Sequence, residues 1–73
     1  MRRENLFDDA SPIVRKNIIR DVKEMSRFEC GVRLTDDAAE DVARAILQGA
    51  RERDALYRVS TKRLCRLVAE VRR

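Results

Sequence analysis

The chain has 73 residues with a formal net charge of +4, 41% charged and 44% hydrophobic residues, and no histidine or tryptophan. That length allows one domain at most and a thin core, because a small chain buries a small fraction of its surface. The apolar content argues against a disordered chain, and the lack of histidine removes the commonest general base and zinc ligand.

Residues 1–10 form a polar arm in which only Leu6 and Phe7 are large and apolar, and these two are expected to fold back onto the first helix. Ser11-Pro12 is a strong helix start, since serine caps the free amides and proline lacks the amide that would go unpaired there. Val14, Ile18, Val22, Met25 and Phe28 follow at helical spacing and predict one apolar stripe. Gly31 supplies the stop, giving a helix over 12–30.

Thr35, with Asp36 and Asp37 behind it, reads as a cap with acid at the positive end of a helix dipole. The second helix is predicted over 36–57, with Ala38, Ala39, Val42, Ala45, Ile46, Leu56 and Tyr57 in its stripe and a kink or break held open near Gly49. Ser60 caps a third helix over 61–72 that carries Leu64, Leu67, Val68 and Val71. No strand pattern longer than three residues occurs, so the expected class is all-α, as a three-helix bundle or an interleaved helical dimer. A core this small rarely contributes more than ~3–5 kcal/mol, which makes self-association, most simply as a symmetric homodimer, the expectation.

Cys30 and Cys65 are far apart, and no signal-peptide core or run of ~20 apolar residues accompanies them. They are expected to be unlinked thiols in a cytoplasmic protein that does not touch membrane. No nucleophile–base pair, metal cluster or phosphate-binding glycine loop stands in the sequence. Asp36, Asp37, Glu40 and Asp41 are explained by helix-start electrostatics. The chain is read as a binding protein rather than an enzyme, with no catalytic, cofactor or metal residues and no small-molecule substrate.

Charge is segregated: residues 1–10, 11–34, 35–57 and 58–73 carry −1, +3, −3 and +5. Lys16, Arg20, Lys23 and Arg27 line up opposite the first apolar stripe, and Lys62, Arg63, Arg66 and Arg73 stand on the last helix. Two outward basic faces suit a phosphate backbone. The run Val59–Leu67 also resembles the turn and recognition helix of a helix-turn-helix, although Asp54 and Arg58 stand where that motif's first helix and turn want a small residue and a glycine. This likeness covers about residues 50–69 and assigns no family.

The first expectation is therefore a small regulator of bacterial or phage type that binds DNA. The alternative is an adaptor or inhibitor that packs helices against an acidic or apolar protein surface, with Ile13, Ile19, Leu47 and Tyr57 as interface residues.

Overall fold

The computed structural model describes residues 5–72. The expected all-helical class holds, and no strand occurs among these residues. In chain order they form α1 (Leu6–Asp9), α2 (Pro12–Met25) continued by a π-helical turn (Ser26–Cys30), α3 (Asp36–Leu47), a 3-10 helix (Arg53–Arg58) and α4 (Thr61–Val71). A radius of gyration of 11.4 Å matches the ~11 Å of a compact chain this long.

All three expected caps form. The hydroxyls of Ser11, Thr35 and Ser60 accept from the amides of Val14, Ala38 and Arg63 at 3.3, 3.1 and 3.1 Å. Each side chain satisfies a donor that the helix itself leaves free.

Packing centres on α3, which touches α1, α2, the 3-10 helix and α4. Its buried face contains Ala39 and Ala43 beside Val42, Ile46 and Leu47, and the small side chains let neighbouring helices approach closely. The arm is anchored mainly on α3. Phe7 is buried, Asn5 donates to the Arg44 carbonyl at 3.0 Å, and Arg44 Nε donates to Asp8 at 2.9 Å. That hydrogen bond is the chief cause holding the Arg44 guanidinium above its ordinary pKa, opposed by partial burial. The guanidinium also lies 5.2 Å from the Phe7 ring centroid.

Four sequence expectations are corrected. The second helix does not run to residue 57: it ends at Leu47, Gly49 adopts φ 75, and a 3-10 helix follows. That break turns the chain so that Leu56 enters the core. Leu47, expected beside the stripe as an interface residue, is fully buried and offers no surface in this conformation.

Phe28 also leaves the apolar stripe and is 79% exposed, while Ser26 is fully buried. Ser26 lies one α turn on from Val22, its amide bonded to the Val22 carbonyl, so it continues the Ile18–Val22 face inward, whereas at ~100° per residue Phe28 lies about 100° off that face and sits within the π turn. Its hydroxyl donates to the Val32 carbonyl at 2.8 Å, which removes the cost of burying it. Gly31 then ends the helix at φ 69, a left-handed conformation that glycine adopts without a Cβ clash.

Finally, Cys30 and Cys65 are bonded to each other rather than free. The π turn packs against α4 and brings the two Cα atoms to 5.5 Å, inside the window a disulfide requires. A separation of 35 residues hid this contact from sequence reasoning. Closing a loop of that size stabilises the fold by ~3–4 kcal/mol in the chain-entropy account. The unreduced protein is therefore expected to have a mass two units below the reduced form. Reductant should sharply lower its urea midpoint, and an unchanged midpoint would show that the bond adds nothing to stability.

Candidate nucleic-acid interface

The α2 face opposite Ile18 and Val22 carries Lys16, Arg20 and Lys23, and Arg27 extends that row onto the π turn. The turn at Gly31 brings the link to α3 back beside α2. Together they enclose a groove of about 490 Å³ with Ile19 and Leu34 among its apolar lining. All four cations line it, joined by Arg33 from the link. Two carboxylates, Glu24 and Asp36, also reach it.

The pairing of these charges is uneven. Lys23 Nζ lies 2.8 Å from Asp36, and Arg20 Nε lies 3.6 Å from Asp21. Among the described residues, Lys16, Arg27 and Arg33 have no carboxylate within ion-pair distance. The Lys23–Asp36 pair also fixes the first turn of α3 against α2, so Asp36 acts both as a dipole partner and as a tether. Elsewhere in that acidic cluster, Glu40 pairs with Arg44. Among the described residues no group of three or more His, Cys, Asp or Glu could hold a metal ion.

Lys62, Arg63 and Arg66 are exposed on the first turns of α4 and do not line this groove. Arg63 donates to the Ala45 carbonyl at 3.4 Å. Lys62 and Arg66 each follow a residue that joins the π turn: Thr61 donates to the Glu29 carboxylate, and Cys65 is bonded to Cys30. The α4 cations thus stand near the Arg27 end of the long helix. Arg73 lies outside the described residues.

The likeness to a helix-turn-helix stops at α4. Where that motif has an α-helix before its turn, this chain has a 3-10 helix over Arg53–Arg58.

One member of the groove was missed in the sequence: Arg33 stood in a link with no assigned role. The Gly31 stop was a signal for Arg33, because a left-handed turn there folds the next residues alongside the helix. Nothing in the residue spacing announces a π turn.

Among the expected interface residues, Ile13 is 75% exposed and Ile19 half-buried, and both line a second depression of about 470 Å³ with Phe7 and Pro12. This depression shares Lys16, Ile19 and Asp36 with the basic groove, so the two adjoin along α2. Tyr57 is 56% exposed, but its hydroxyl donates to the Asp21 carboxylate and ties the 3-10 helix to α2.

No helix among the described residues is long and apolar enough to cross a membrane. No protein-family model matches the chain, and neither does any curated protein or solved structure.

The Tyr57–Asp21 bond has a measurable signature. The hydrogen bond to Asp21, with burial and the Asp21 charge behind it, pushes the phenol pKa from 10.0 up to about 12. A raised tyrosine pKa means that the neutral form is favoured in the folded state. The stability this contributes is full below about pH 10 and is lost as pH rises through about 12. Tyr57 is the single tyrosine, so ultraviolet absorbance titration reads it directly. The expected midpoint lies near 12, and Asp21→Asn should return it toward 10. A wild-type midpoint near 10 would show that the bond does not form.

Proposed function

We propose that this chain binds nucleic acid, with the α2 groove meeting phosphates and Lys62, Arg63 and Arg66 extending the contact past the Cys30–Cys65 joint. The observation that carries this reading is the groove itself, where five cations face two carboxylates. Each phosphate that such cations neutralise releases condensed counterions, and that release makes binding depend steeply on salt.

The three groove cations without an acidic partner set a minimum. If Lys16, Arg27 and Arg33 each neutralise one phosphate, affinity for random duplex DNA should fall about 40-fold between roughly 50 and 200 mM salt. Removing Lys16 and Arg33 together by alanine substitution should reduce the salt slope by about 2. Absence of binding to duplex and single strand alike at low salt, or a double variant with the wild-type slope, would remove the reading.

A second reading rests on a different patch. The exposed Ile13, with half-buried Ile19 behind it, presents apolar surface beside Lys16, and such patches on small proteins often mark contacts with other proteins. The occupant proposed here is a second copy of the chain, in a symmetric dimer that covers the α2 face. Sedimentation at high micromolar concentration should then show dimer, and Ile13→Asp should shift it to monomer. A wild-type protein that stays monomeric throughout would exclude self-association.

A further inference from the structure

Phe28 is the most exposed large apolar side chain among the described residues. Its neighbour Arg27 lines the groove and holds its guanidinium carbon 5.7 Å from the Phe28 ring centroid. At ~100° per residue Phe28 already falls about 80–120° from Ile18 and Val22, off the buried face that Ser26 continues, and it sits within the π turn, exposed to solvent. An isolated π turn of this kind often marks a functional position, and here the turn carries an exposed aromatic ring.

Resting on the nucleic-acid reading above, we propose that the groove takes single-stranded nucleic acid, with phosphates along Lys16, Arg20, Lys23 and Arg27 and one unpaired base stacked on Phe28. From Lys16 to Arg27 the row spans about 17 Å of helix, the length of roughly five stacked nucleotides at ~3.4 Å each. A positive groove that tracks the backbone, with an aromatic ring on which a base stacks, is the arrangement that single strands require. In a duplex the base faces are already stacked on one another, so the Phe28 ring meets no free face. A concave groove also admits one strand more readily than the convex shoulder of a double helix. The Arg27 guanidinium can share the base's face with the ring or turn to the adjacent phosphate.

Fluorescence anisotropy with a labelled oligodeoxythymidylate of about 12 nucleotides, a random duplex and polyglutamate separates the outcomes. For the full-length protein the strand should bind more tightly than the duplex. Phe28→Ala, at an exposed site, should keep the wild-type thermal midpoint and salt slope but weaken strand binding by about 5- to 150-fold, the effect of losing one base stack. Its duplex affinity should not change. Phe28→Trp adds the protein's sole tryptophan, which should retain strand binding and lose fluorescence when a base stacks on it. Salt-dependent duplex binding with Phe28→Ala matching wild type on the strand would overturn the stacking proposal and leave the nucleic-acid reading intact. Binding to neither strand nor duplex at low salt would remove both. Polyglutamate bound as tightly as the strand, with no effect of Phe28→Ala, would identify an acidic protein surface as the partner and overturn base stacking.

Discussion

The hydroxyl of Ser26, fully buried, donates to the Val32 carbonyl 2.8 Å away, and that bond governs the far end of the long helix. A buried hydroxyl without a partner costs ~1–3 kcal/mol, so burying Ser26 on the Ile18–Val22 face depends on an acceptor being held nearby. Val32 is positioned by the left-handed Gly31. Ser26 and Gly31 are thus coupled, and the course of the link follows from both. Arg33 reaches the groove because the chain doubles back at Gly31. Phe28 faces solvent because it lies well off the face that Ser26 continues. Cys30 meets Cys65 because the widened turn lies against α4.

The charge segregation has a matching structural logic. Its acidic segment is α3, the central helix, whose first-turn carboxylates oppose the helix dipole and whose Asp36 and Glu40 pair with Lys23 and Arg44. Exposed pairs of this kind each contribute at most ~1 kcal/mol, so their effect lies more in position than in stability. Lys23–Asp36 sets one wall of the groove and partly neutralises it. The cations unpaired among the described residues remain toward both its ends, Lys16 in the first turns of α2, and Arg27 and Arg33 around the turn.

Stability in so small a chain is spread over few devices. The core gathers around the small face of α3, the arm closes one end through Phe7 and Arg44, and the disulfide closes the other. The 3-10 helix fills the remaining gap with Leu56 and is tied back by Tyr57. Ile13 and Phe28 lie outside all of these contacts; Ile13 lines a depression on α2, and Phe28 lies against Arg27 of the basic groove.

Local chemistry was legible in the sequence wherever a residue acts on its own neighbours. The caps at Ser11, Thr35 and Ser60, the stop at Gly31, the weak point at Gly49 and the all-helical class each follow from interactions within about four residues. The basic row on α2 was legible too, since helical spacing alone aligns it. What needed the folded chain was every feature that depends on a distant partner or a change of helical period. The Cys30–Cys65 bond spans 35 residues, and the burial of Leu47 depends on Leu56 and α4 closing over the end of α3. The exposure of Phe28 was partly legible, since at ~100° per residue its spacing from Ile18 and Val22 takes it off their face, but the π turn it sits in was not. Periodicity assumes a constant rotation per residue, so it could align Lys16 with Arg20 and Lys23 but not foresee a change of period at the end of their helix.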